Sequence, residues 1–277
     1  MSITVNTNTS ANMAMNNLGK ASKALSKSFE RISSGLRITS AADDAAGLGV
    51  AENLHVAATS ARVASRNIND GVSMIAVAEG ASSEVGNILG RMRELAVQSA
   101  SETLDDDERA YVQDEYTSLA SEVDRISAVA EFNGKKLTDG SVTTIGVQVG
   151  ISNTANDQVD ITMGDLSAST LGVDTGSIDM STSGGASSAI TAIDSAIDMV
   201  SGYRSDYGAA QNRLESAQNN LETFAENTAS AESAIRDADF GYETAELSKN
   251  QILQQAGVAI LGQAKGVNQS AISLLQS

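Results

Sequence analysis

The chain has 277 residues, a formal net charge of −17, and no cysteine, tryptophan or proline. The acidity argues against nucleic acid or an anionic membrane surface as partner, since phosphates call for a basic face. The missing cysteines exclude disulfides and thiolate chemistry, and no apolar run approaches the ~18 residues of a membrane span.

Average usage would supply roughly fourteen prolines. Their absence fits long uninterrupted helices, because each internal proline costs about 3 kcal/mol. Aromatic residues make up only 3%, which points to thin helix-on-helix seams of Ala, Leu, Ile and Val rather than a thick core. The N-terminal stretch MSITVNTNTSANMAM has no basic residue before Lys20 and no apolar core segment, so it does not read as a Sec-type signal. Its first dozen residues are polar enough to stay unstructured until bound.

A helix is predicted from about Asn12 to Ser33, with Met15, Leu18, Leu25, Phe29, Ile32 and Leu36 recurring in steps of three, four or seven. Small residues around Gly35 and Ser40 to Gly49, with Asp43-Asp44, read as a bend. A second helix runs from about Leu48 to Ala100, with a stripe of Val56, Val63, Ile68, Val72, Ile75, Val85, Ile88, Met92 and Leu95. Asp105 to Glu108 places four acids at the start of a third helix, where the dipole favours them. That helix carries Val112, Tyr116, Leu119, Val123 and Ile126 and stops at the turn signal Phe132-Asn133-Gly134.

Between Thr144 and Met163 the period changes to two, predicting a β-hairpin with a polar loop at Asn153 to Asp157. Ser167 to Ser188 is rich in Ser, Thr and Gly and reads as a loop, loosest at Gly184-Gly185. A long helix is predicted from about Ala189, with Tyr207, Ala210, Leu214, Ala217, Leu221, Phe224, Thr228, Ala231 and Ile235 in strict three-four alternation. At 1.5 Å per residue its roughly 45 residues would span about 70 Å. A last helix from about Tyr242 repeats an apolar stripe at Leu253, Ala256, Ile260, Ala264, Val267, Ala271 and Leu274. Such stripes mark helices that need partners, either each other or copies of the same chain. With helices first and last and β structure between, the expected fold is mainly α: an elongated coiled-coil-like helical hairpin with a small β-hairpin at its far part.

Several motifs in order resemble the bacterial flagellins. Arg31 to Asn53 (RISSGLRITSAADDAAGLGVAEN), Arg93 to Ala100 (RELAVQSA) and Phe132 to Lys135 are similar to the family's N-terminal region. Gln211 to Leu214, Ile235 to Phe240 (IRDADF), Gln251 to Gly257 (QILQQAG) and Leu274-Leu275 resemble its C-terminal region. The resemblance implies an inner-tube domain from residues 1–42 and 236–277, and a surrounding helical domain from residues 43–235. The β-hairpin near 144–163 and the short segment 167–188 would belong to the latter. The large outer domains of many flagellins are missing, and Asn268 stands where several relatives have proline.

By the same resemblance the chain would polymerise head-to-tail into an extracellular, secreted flagellar filament for swimming. Its assembly core would be Leu18, Leu25, Phe29, Ile32, Leu36, Leu253, Ile260, Val267 and Leu274. It would leave the cell unfolded through the flagellar type III apparatus. A flagellin export chaperone would cover Ile252, Leu253, Ile260, Leu261, Leu274 and Leu275. Filament cap and hook-junction proteins are further implied partners. Arg91, Leu95 and Glu115 match the flagellin surface recognised by Toll-like receptor 5, with Leu95 expected exposed between charges; the same face would serve axial assembly. No cofactor and no membrane insertion are implied. The alternatives are a hook-filament junction protein of the same superfamily, or a receptor ligand acting as monomer.

Nothing in the sequence builds a catalytic or metal site. His55 is the only histidine and cannot complete a triad or zinc site alone, and no HExxH motif is present. Asp43 and Asp44 sit among alanines, where capping or pairing with Arg31 or Arg37 is the expected role. The Ser/Thr cluster at 167–188 reads as loop, with O-linked sugars as an alternative use.

Overall fold

A computed structural model describes the backbone of residues 7–275 and the side chains through Ala264. In chain order it contains α1 (Thr9–Ser34), α2 (Ala45–Ser99), α3 (Asp106–Val129), β1 (Glu131–Phe132), β2 (Lys135–Lys136), β3 (Thr144–Gln148), β4 (Gln158–Thr162), α4 (Ala168–Leu171), α5 (Ser183–Arg236) and α6 (Phe240–Leu275). The fold is mainly α with two small antiparallel hairpins. The described chain divides into two compact units, one from residues up to Val56 with those from Asn227 onward, the other from Ala57 to Glu226.

Local signals fix the helix ends. The Asn8 side chain accepts from the Ala11 amide at 2.9 Å and starts α1. Gly35 ends it in the left-handed conformation, φ +73°, and returns its amide to the Arg31 carbonyl. Asp105 and Glu108 form a reciprocal capping box at α3, so two of the four predicted acids close the helix rather than merely facing its dipole.

In the unit from Ala57 to Glu226, α2, α3 and α5 supply two apolar cores. One joins Val85, Leu89, Met92 and Leu95 of α2 to Val112, Tyr116 and Val123 of α3 and Ile193 and Val200 of α5. The other places the β3–β4 hairpin, through Val147, Val159, Ile161 and Met163, against Ile68 and Ile75 of α2 and Tyr207 and Leu214 of α5. The hairpin pairs Ile145 with Ile161 and Val147 with Val159, which keeps the alternating apolar residues of both strands on one face. Gly71 makes this close packing feasible, since a Cβ there would lie 3.0 Å from a Val147 methyl.

The structure differs from the sequence reading at four places. Segment 167–182 is not a loose loop: Ala168, Leu171, Val173, Ile178 and Met180 are buried in the first core, and Leu166 beside them is too. Apolar residues spaced irregularly among serines carry no period, so their burial was invisible. Gly184-Gly185 lies in the first turn of α5, which begins six residues earlier than predicted. Gly185 is needed there, because a Cβ would stand 2.1 Å from the Asp179 carbonyl. The Asn133-Gly134 turn closes a second hairpin, β1–β2. Finally, Val56 and Val63 are exposed while Ala51, Ala58 and Ala61 are buried, so alanines rather than valines form the inner face at the start of α2.

Candidate assembly surfaces

In the terminal unit, α1 packs on α6. The α1 face turned inward is Ala11, Ala14, Leu18, Ala21, Leu25, Ser28 and Ile32, all buried or half-buried in three-four steps. Three predicted assembly residues, Leu18, Leu25 and Ile32, therefore lie on this seam. Phe29 does not: it is 66% exposed, as Met15 is exposed. Leu36 follows the helix and bridges to Asp237, where Arg37 and Ala238 amides donate to the Arg236 and Gly35 carbonyls.

On α6 the inward face is Glu243, Leu247, Asn250, Gln254, Gly257, Leu261 and Ala264. It mixes two leucines with small and polar residues, and of the described part of the predicted stripe only Ala264 belongs to it. Leu253 is 49% and Ile260 57% exposed, and Ile252 and Val258 are exposed too. Of the predicted chaperone-binding residues, only Leu261 turns toward α1 among those described. The side chains of Val267, Leu274 and Leu275 lie outside the described residues. A groove of about 740 Å³ runs between the helices, lined on one wall by Met13, Ala14, Asn17 and Leu18 and on the other by Leu253, Ala256 and Ile260.

Polar anchors set the register of the pair. Arg31 Nη1 donates to Glu243 Oε1 at 2.9 Å, with the glutamate almost fully buried. Asn8 Nδ2 donates to the Ala264 carbonyl at 3.1 Å. A buried ion pair is a poor source of net stability but a strict one of alignment, because a slip would strand a charge. Sequence reasoning missed this pair: charges on two helices 212 positions apart carry no local signal.

The bend between α1 and α2 is also held by charge. Asp43 accepts from the Thr39 amide and hydroxyl and pairs with Lys27 Nζ at 2.6 Å. The Lys27 ammonium and the Thr39 donors hold its carboxyl far below the usual carboxylate range. The expected arginine partners are engaged elsewhere, Arg31 with Glu243 and Arg37 with the Ile235 carbonyl. Asp44 caps α2, accepting from the Gly47 amide at 2.8 Å. His55 Nδ1 lies 3.1 Å from Glu232, which Arg236 also approaches at 3.7 Å.

In the other unit, Arg91 bridges two helices. Its Nη2 and Nε reach Glu115 Oε1 at 2.8 and 3.1 Å, and Nη1 reaches Glu94 at 2.9 Å. Both carboxylates raise its pKa. The predicted Arg91–Glu115 neighbours are thus joined, but Leu95 is only 2% exposed and belongs to the core. The expectation of an exposed leucine is overturned. The stripe that the sequence itself shows, Val85-Ile88-Met92-Leu95, turns that side chain inward. Tyr111, one turn before Glu115 on α3, is 75% accessible and falls outside the apolar stripe of that helix.

Among the described residues no group of three His, Asp or Glu could hold a metal, and no helix is long and apolar enough to cross a membrane. What the geometry offers instead is buried helix seams carrying an uncovered apolar stripe, the build of a helical structural protein.

Comparison with known proteins agrees. Residues 5–143 match the bacterial flagellin N-terminal helical region, and residues 190–275 match the bacterial flagellin C-terminal helical region. A flagellin of Halalkalibacterium halodurans is 42% identical over 98% of this chain and 99% of its own length. The flagellar filament 31.3 kDa core protein of Treponema maltophilum is 37% identical over 98% and 99%. The crystal structure of Bacillus cereus flagellin superposes with a TM-score of 0.50 at 30% identity, covering 60% of this chain and 94% of that one. The chain belongs to the bacterial flagellin family, and it is a structural protein, not an enzyme.

Proposed function

We infer that the chain is a structural subunit of the extracellular bacterial flagellar filament, polymerising with copies of itself. The observation that carries this is the uncovered stripe of α6. Leu253 and Ile260 line the open groove beside the α1 seam and are left half exposed. Apolar side chains repeated along one helix face are costly in water, and burying them in neighbouring subunits gains about 25 cal/mol per Å². Contacts that join unlike faces propagate as open helical polymers. Relatives named as flagellins and filament core proteins support the filament subunit over a hook-filament junction protein.

The same stripe is the natural site for an export chaperone, which would shield Ile252, Leu253 and Ile260 until assembly. An inner-tube domain from residues 1–42 and 236–277 and a surrounding domain from residues 43–235 remain the proposed division of labour. Passage through the type III apparatus suits a chain without cysteine, which forms no cross-links when unfolded. Cap and hook-junction proteins would meet the same terminal unit at the filament ends. For Toll-like receptor 5, the accessible contacts are Arg91 and Glu115, with Leu95 supporting them from beneath.

The test is polymerisation of Leu253→Asp and Ile260→Asp, followed by electron microscopy. Loss of filaments with monomer helicity unchanged is expected. Normal filaments from the double variant would overturn the assignment.

A further inference from the structure

We propose that Asn133 is a site of spontaneous covalent modification, its side-chain amide being lost through attack by the backbone nitrogen of Gly134. The chain contains one Asn–Gly pair, and it forms the tip of the β1–β2 hairpin. Asn133 has φ +50° and Gly134 φ +76°, the conformation of a tight two-residue turn. Both residues are exposed, and the space where a Cβ on Gly134 would sit is open. The ladder of such a hairpin uses the flanking residues Phe132 and Lys135, so the Gly134 amide is not one of its rungs.

The chemistry needs only water. The Gly134 amide proton passes to solvent base and its nitrogen bonds to Asn133 Cγ. The Cγ–Nδ2 bond breaks, and the nitrogen leaves as ammonia. Water then opens the five-membered imide. Attack at the side-chain carbonyl leaves aspartate; attack at the main-chain carbonyl leaves isoaspartate, with the backbone rerouted through Cβ and Cγ. Overall, an amide and water become a carboxylate and ammonia, with no change of oxidation state. The Lys135 and Lys136 ammonium groups are exposed just beyond the turn and favour the developing negative charge.

The two Asp–Gly pairs of the chain are protected. Asp70-Gly71 lies inside α2, its amide committed to the helix and Gly71 packed on Val147. At Asp139-Gly140 the carboxylate is held ionised by the Ser141 hydroxyl and amide and by Lys136, and an ionised carboxylate is a poor electrophile. The space beside Gly140 is filled by Asp165. Among the described residues that precede a glycine, Asn133 alone combines an amide side chain, an unhindered following nitrogen and solvent access.

Isoaspartate would lengthen a two-residue loop whose register is fixed by its length. The pairs Phe132–Lys135 and Glu131–Lys136 would then come apart. A subunit locked in a long-lived polymer would thereby acquire a negative charge and an opened hairpin with age.

The experiment holds the full-length protein at neutral and mildly alkaline pH, with proteolytic mass mapping and isoaspartyl-methyltransferase labelling over time. The peptide carrying Asn133 should gain the mass of an amide-to-acid exchange many-fold faster than peptides with the helical Asn212 and Asn219, and faster at higher pH. Asn133→Gln should lose that gain and the label. Conversion at Asn133 no faster than at the helical sites overturns the proposal. The site-resolved measurement on the unaltered chain decides this even where the variant misfolds.

Discussion

Gly257 of α6 lies against Leu18 of α1 so closely that a Cβ at 257 would stand 3.2 Å from the Leu18 Cδ1 methyl. Glycine inside a helix costs roughly 0.5–1 kcal/mol relative to alanine, so its presence reflects the approach of the two helices. Gly257→Ala should be close to neutral, since the helix gain is offset by a small shift of a flexible methyl. Gly257→Leu should part the seam, lowering amide protection along α1 and abolishing polymerisation. Unchanged exchange protection in Gly257→Leu would show that the helices do not depend on this contact.

Leu95 and Arg91 share a helix but do different things. Leu95→Ala should destabilise the unit by about 2–5 kcal/mol, as large-to-small core changes do. Arg91→Ala should cost far less, because the guanidinium and its partners are solvent-exposed. Denaturant unfolding of both variants separates the cases; equal losses would contradict the buried placement of Leu95. A receptor assay on Leu95→Ala therefore needs a stability control before any contact is inferred.

The Asp43–Lys27–Thr39 bend gives a signed pH dependence. Asp43 has a folded pKa far below the unfolded value of about 3.9. Its contribution is full above that unfolded value and is lost as pH falls through the depressed folded one. Asp43→Asn should remove this component, so wild type and variant should converge in stability as the medium is acidified. Parallel curves down to strong acid would be the contrary result.

Tyr116 donates its hydroxyl to the Val173 carbonyl at 2.7 Å inside the first core. Burial pushes its pKa well up, so the phenol remains protonated in the fold. Its contribution is present below the unfolded value of about 10 and is lost as pH climbs past it. Tyr116→Phe should cost about 1–3 kcal/mol by leaving a buried carbonyl unpaired, and should free the 173–178 segment to faster amide exchange.

Much of this was legible in periodicity. Ile68, Ile75, Met92, Tyr116, Val123, Leu214 and the alternation of β3 and β4 went inward as their spacing required. The terminal stripe was legible as a stripe, but not which way it faced. Asn250, Gln254 and Gly257 look like a polar helix face, yet they form the seam because small and hydrogen-bonding groups allow close approach. The Arg31–Glu243 pair and the burial of Val173, Ile178 and Met180 depend on partners far away in sequence, where no local pattern reaches.

That buried stretch has a consequence for chain length. Val173 and Ile178 are both anchored in the core, while Thr175, Gly176 and Ser177 between them are exposed, with Gly176 and Ser177 donating to the Asp174 carboxylate. Added residues at that turn would start and finish at fixed points, and lengthening a closed loop costs little entropy. The turn is therefore a ready graft point: a peptide or whole domain spliced there would be displayed by every subunit without disturbing the packing underneath.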